Sequence, residues 1–212
     1  MRSRFDKELE ALHVELIEMG SLIESAIVSC MEGLTEKNMG KAKQTMLFEQ
    51  EVDEKEKAIE RRCLKLLLQQ QPVATDLRMI STALKMITDM ERIGDQASDI
   101  AEITIRLIDV PYIKKLIDIP KMATGTIHMV KGSIDAFIRR DLDMAYDVIA
   151  YDDVVDDLFN TVKNDLIHMI HEDVNNGEQA CLLYTSLRHK KLVLECSVPR
   201  KSPDFVANSQ YG

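Results

Sequence analysis

From Phe5 onward the chain places an apolar residue every three or four positions, at Phe5, Leu9, Leu12, Leu16, Met19, Ile23, Ala26, Cys30 and Leu34. That rhythm keeps a narrow stripe on one side of an α-helix and would scatter across both faces of a strand. A helix this long cannot hide its stripe alone, so it must pack against partners of similar length, and the fold class that follows is all-α. The pattern breaks between Gly33 and Gly40, where Asn38 is suited to cap a second helix. The rhythm resumes at Ala42, Thr45, Glu49, Val52, Glu56, Ile59, Cys63 and Leu66 and stops at the Gln-Gln-Gln-Pro run ending in Pro72. Proline has no N–H to donate and disfavours helix in the residue before it. A third helix is predicted with Leu77, Ile80, Leu84, Ile87, Glu91, Gly94, Ser98, Ala101 and Ile105 along its stripe, and Val110-Pro111 closes the unit.

Sliding the chain by 103 residues lays Met19 on Met122, Cys30 on Ser133, Leu34 on Phe137, Asn38 on Asp141 and Ala42 on Ala145. The stripe continues through Val148, Asp152, Val155, Phe159, Val162, Leu166 and Met169, with Asp152 falling where Glu49 falls. The expected architecture is therefore two tandem three-helix bundles: 1–110, then 111–181 as an incomplete second bundle that begins near Pro120 and lacks its last helix. The counterparts of Glu91, Asp95 and Asp99 would be Leu194, Val198 and Ser202, with Pro199 and Pro203 forbidding a continuous helix there. From about Leu182 the sequence loses helical periodicity and its charge turns positive, so 182–212 reads as an atypical tail arising from a frame change or a junction with foreign sequence.

Five per cent aromatics, 12 Met and no Trp suit a helical core better than a sandwich or barrel. A net charge of -9 argues against nucleic acid as a partner and against docking on anionic lipid. Cys30, Cys63, Cys181 and Cys196 lie far apart with no Cys-x-x-Cys, which fits thiols in a reducing compartment. No apolar leader and no membrane-length apolar run are present, so the expected location is cytoplasmic.

Acids four apart share a helix face: Glu49 with Asp53, Glu91 with Asp95, Asp95 with Asp99, Asp152 with Asp156. Glu49, Glu91 and Asp152 stand in the apolar stripe itself, where an uncompensated carboxylate costs several kcal/mol (~1–3 or more) unless protonated, paired or bound to a cation. Oxygen-rich clusters suit hard cations such as iron, magnesium or manganese. Asp153, Asp157 and Glu102 read instead as solvated wet-face charges. Glu10 and His13 form one Glu-x-x-His, but a di-iron oxidase needs two such motifs and further glutamates on other helices. No phosphate loop, Gly-x-Ser-x-Gly or nucleophile motif occurs. Residues alone thus favour a metal-carrying regulator over an enzyme, with a carboxylate-bridged di-metal oxidase and a metal-free helical adaptor as alternatives.

The segment 71–102, with Pro-x-Ala-x-Asp-Leu-Arg at Pro72 to Arg78 and Glu-Arg-Ile-Gly-Asp at Glu91 to Asp95, closely resembles the phosphate-uptake regulators of the PhoU family. The runs FEQEVDEKEKAIE and YDDVVDDL look like that family's paired-acid helix, and the resemblance covers roughly 1–180. It implies two tandem three-helix bundles and a multinuclear iron or zinc cluster on Glu/Asp-x-x-x-Asp motifs. The ligands implied are Glu49, Asp53, Glu91, Asp95 and Asp99 in the first bundle and Asp152 and Asp156 in the second. It also implies a negative regulator of the phosphate-starvation response, not an enzyme, that dimerises. Such a protein couples the ATPase of the Pst transporter to the PhoR sensor kinase and meets the membrane only through them.

Overall fold

A computed structural model describes residues 2–70 and 73–185, with side chains described for 5–68 and 73–185. The described residues form five long helices: α1 Arg2–Glu36, α2 Met39–Gln70, α3 Ala74–Arg106, α4 Asp118–Arg139 and α5 Leu142–Glu172. A 3-10 turn at Val174–Asn176 follows, and 177–185 are helical. α1, α2 and α3 pack on one another, α5 packs on α4, and α4 packs on α1. Among these residues no helix is long and apolar enough to cross a membrane.

The α1 stripe is buried as its spacing requires, with Leu12, Leu16, Met19 and Leu34 fully covered, and Val52, Ile59, Cys63 and Leu66 of α2 close on it. Each such burial contributes about 1.5–3 kcal/mol. Arg62 of α2 adds a clamp, reaching Glu15 at 2.7 Å and Glu8 at 2.6 Å across to α1. A partly exposed pair of this kind is worth about 0–1 kcal/mol, so the apolar stripe dominates.

Two details depart from the sequence reading. α1 runs through Gly33 to Glu36, so the break is two residues wide and not eight. Gly33 is there for proximity: a Cβ would lie 3.1 Å from the backbone nitrogen of Ala42 at the start of α2. On α3, Leu77 is 48% exposed, while Met79, Ala83, Met90, Ile93, Ala97 and Ile100, none of them in the predicted stripe, are buried. The reason is that α3 is covered on more than one side, with Met90 and Ile93 beside Val130 and Ile134 of α4 and Ala97 and Ile100 beside Cys30 and Met31 of α1, and a helix buried on two sides shows no single stripe.

The repeat holds down to single atoms at the connectors. Lys37 and Arg140 adopt left-handed backbone, φ 54° and 55°. Asn38 N–H donates to Gly33 O at 3.0 Å, and Asp141 N–H donates to Ala136 O at 3.0 Å. The capping oxygens of Asn38 and Asp141 accept from Lys41 N at 3.2 Å and Met144 N at 3.0 Å. Segment 177–185 stands where α3 begins in the first copy, with Ala180 and Leu183 buried in the places of Leu77 and Ile80. Helix thus extends past Leu182, and the remainder of the tail, Cys196 included, lies outside the described residues.

Candidate metal centre

The acids of α2 and α3 meet because the two helices come close at Gly94, where a Cβ would sit 3.2 Å from Val52 Cγ1. Val52 lies one residue before Asp53, and Gly94 one before Asp95, so this contact brings the two acid pairs to the same level. One carboxylate oxygen each from Glu49, Asp53 and Asp95 lies within 4.8 Å of the others, a spacing a single cation can bridge. Glu49 and Asp53 are half-buried and Asp95 is exposed.

Glu91, also half-buried, lies one turn from Asp95. Burial, then Asp95, Asp53 and Glu56, push its carboxyl up to about 7. Burial likewise raises Glu49, with Asp53 and Asp95 adding to the effect. Asp95 is raised by lost hydration and by Asp53 and Asp99, while its hydrogen bond with Glu91 acts in the opposite direction. The same electrostatics bring in Glu56, raised by burial and then by Glu60 and Asp53. Glu56 was absent from the ligand set read from the sequence, yet its signal was there: it is the second glutamate in the α2 stripe.

Carboxylates this close repel by about 3 kcal/mol per pair at an intermediate dielectric, less where water reaches them. Two basic side chains act on the cluster: Lys57, which pairs with Asp53 at 3.7 Å and is itself well exposed, and Arg92, which partly offsets the rise at Glu91. An all-oxygen donor set, partly buried and with more carboxylates than basic side chains, fits a divalent cation. Glu49, Asp53 and Asp95 would hold it, Glu91 and Glu56 would border it, and Asp99 lies exposed at its edge. The cation would supply positive charge that removes the repulsion, and nothing in the cluster points to a reaction.

The second copy differs. Asp152 and Asp156 are half-buried on α5. The positions matching Glu56 and Glu60 hold buried Phe159 and Lys163, whose ammonium lies over the Phe159 ring at 5.9 Å. Asp152 and Asp156 are not brought together with a third ligating side chain among the described residues. His13, the histidine of the lone Glu-x-x-His, faces Phe137 of α4 and not the acids.

The PhoU domain model matches residues 16–104 and 119–189. The chain belongs to the PhoU family. The match covers most of each copy of the repeat and continues four residues past the described helix. A Clostridium acetobutylicum relative, described as a phosphate-specific transport system accessory protein PhoU homolog, is 38% identical over 84% of this chain and 82% of its own. An Aquifex aeolicus protein of the same description is 36% identical over 86% and 83%. The crystal structure of PhoU from Pseudomonas aeruginosa superposes with a TM-score of 0.85 at 29% identity, covering 91% of this chain and 93% of that one.

Proposed function

We propose that this chain is a negative regulator of the phosphate-starvation response and of phosphate uptake, acting in the cytoplasm by contact with the Pst transporter ATPase and the PhoR sensor kinase. It works as a homodimer and catalyses no reaction. The observation that carries this reading is the PhoU match across both copies of the repeat, on relatives described as accessory proteins of phosphate-specific transport. In the same reading Glu49, Asp53, Glu91, Asp95 and Asp99 carry an iron or zinc cluster, with magnesium or manganese as hard-cation substitutes. Asp152 and Asp156 are the corresponding ligands of a weaker second site. The cation stiffens the α2–α3 face, so that a partner meets one fixed surface.

The test is a pull-down of purified transporter ATPase and sensor kinase, run on the whole chain and on 1–189, where the PhoU match ends, each metal-loaded and chelated. Retention of both partners by both forms is expected, with weaker retention after chelation. Retention of neither partner contradicts the regulatory reading. Equal retention with and without metal leaves the partners in place and removes the cation from the mechanism.

A further inference from the structure

α1 is the middle helix of a layer whose front is left open. α2 joins it on one side, through Arg62 to Glu15 and Lys55 to Glu18, both at 2.7 Å. α4 joins it on the other, through Lys131 to Glu24 at 2.7 Å and the close approach of Ile134 to Gly20. α3 lies behind, where Ile93 and Ile100 meet Ile27 and Met31. In front, Val14, Ile17 and Val28 stand 49%, 48% and 43% exposed. With Ser21 and Ser25 they share one face of the helix, which carries no charge over about 21 Å.

The fold alone does not require this face to be apolar. A shift of 103 residues puts Pro120, Thr124, His128 and Lys131 on α4 in the places of Ile17, Ser21, Ser25 and Val28. The α1 face is also ready for burial. Ser21 Oγ donates to Ile17 O at 3.1 Å and Ser25 Oγ to Ser21 O at 2.9 Å, so covering the two hydroxyls leaves no donor unpaired. Their small side chains at the centre let another helix come close.

The spacing points to the occupant. The steps from 14 to 17, 21, 25 and 28 are three, four, four and three, the same in either direction. A second copy of α1 laid antiparallel about a two-fold axis at Ser21 therefore brings Val14 to the partner's Val28, Ile17 to the partner's Ser25, and Ser21 to its own mate. The α4 rim obeys the same symmetry. Lys131 lies at the level of Glu24 and Asp135, one turn on, beyond the level of Gly20, so each lysine comes opposite the partner's Asp135. Three helices about 10 Å apart over this length present about 600 Å² per copy, at the lower limit of a specific interface.

Building on the homodimer reading above, we propose that two copies of this chain dimerise through the outer face of α1, packed antiparallel about Ser21 with α4 against α4. None of these residues belongs to the α2–α3 acid cluster, so dimerisation leaves that cluster uncovered in each copy.

The test uses the whole chain with Cys181→Ser and Cys196→Ser, in which Cys30 and Cys63 are buried. Ser21→Cys in that background, oxidised with copper phenanthroline, is expected to give a disulfide-linked dimer as its main product. Val14→Cys and Val28→Cys, each about 21 Å from its own mate, are expected to link when the two proteins are mixed and not when each is alone. Ile17→Glu would bury an unpaired charge and is expected to weaken the dimer about tenfold or more by sedimentation, with the helical circular dichroism unchanged. A dimer by sedimentation that Ser21→Cys does not link, or that Ile17→Glu does not weaken, overturns this interface and leaves the homodimer reading standing. A monomer by sedimentation overturns both.

Discussion

Glu49 and Asp53 on α2 and Asp152 and Asp156 on α5 are the corresponding acids in two copies of one helix, reached through connectors that share the hydrogen bonds made by Asn38 and Asp141. Among the described residues only the first pair is grouped with a ligating carboxylate from a neighbouring helix, because α3 brings Asp95 and Glu91 to it. In the second copy Phe159 replaces Glu56, so the stripe there is filled by an aromatic ring instead of an acid. The i,i+4 acid pair is thus shared ancestry of the two copies, while a cation site needs the opposing helix to supply further donors.

The largest expected effect separates the two copies directly. Saturating the chain with zinc or ferrous iron at about 100 times its dissociation constant adds about 2.7 kcal/mol of stability. At this chain length that is a rise in Tm of about 5–10 °C. Glu49→Gln with Asp53→Asn should abolish the rise, and Asp152→Asn with Asp156→Asn should leave most of it, as read by differential scanning fluorimetry. Equal losses from both pairs would erase the distinction.

Next comes the helix contact that brings the acids of α2 and α3 together. Gly94→Leu has to displace Val52, so it should cost about 1–3 kcal/mol and also lower metal affinity, measured by denaturant titration and calorimetry. A variant that loses stability but binds metal as before would show that the α2–α3 approach does not set the site.

A smaller effect appears with pH in the chelated protein. Glu91 binds its proton more tightly folded than unfolded, so its stabilising contribution is complete below the ordinary glutamate range and disappears as pH rises through about 7. Thermal stability should therefore fall from about pH 5 to about pH 8, and Glu91→Gln should flatten that slope. Bound cation should flatten it as well. The smallest effect tests what the copies share: Asn38→Ala and Asp141→Ala should each cost about 1 kcal/mol, equally within error, since both side chains cap a helix in the same way.

Much of this was legible in the residues because it is local. The three-and-four rhythm places α1 and α2 and most of their buried stripes, and the 103-residue shift anticipates the matched connectors. What it could not give is set by tertiary packing. Met79, Met90 and Ile93 are buried because α4 covers a second side of α3, and no periodicity within α3 announces a neighbour that arrives after Pro111. Glu56 belongs to the acid group through its height opposite Glu91, a relation between helices, although its place in the α2 stripe was a hint. The close approach of Gly94 to Val52 is likewise a pairwise fact that a lone glycine inside a helix does not reveal.

A cation held by the α2–α3 carboxylates is the proposal on which the rest depends. The most direct measurement is metal content per chain by inductively coupled plasma mass spectrometry, on protein purified without chelator, for the unaltered chain and for Glu91→Ala with Asp95→Ala. Bound iron or zinc in the unaltered chain, and its loss from the double variant with the helical circular dichroism unchanged, is the expected result. The same metal content in both proteins would contradict the claim.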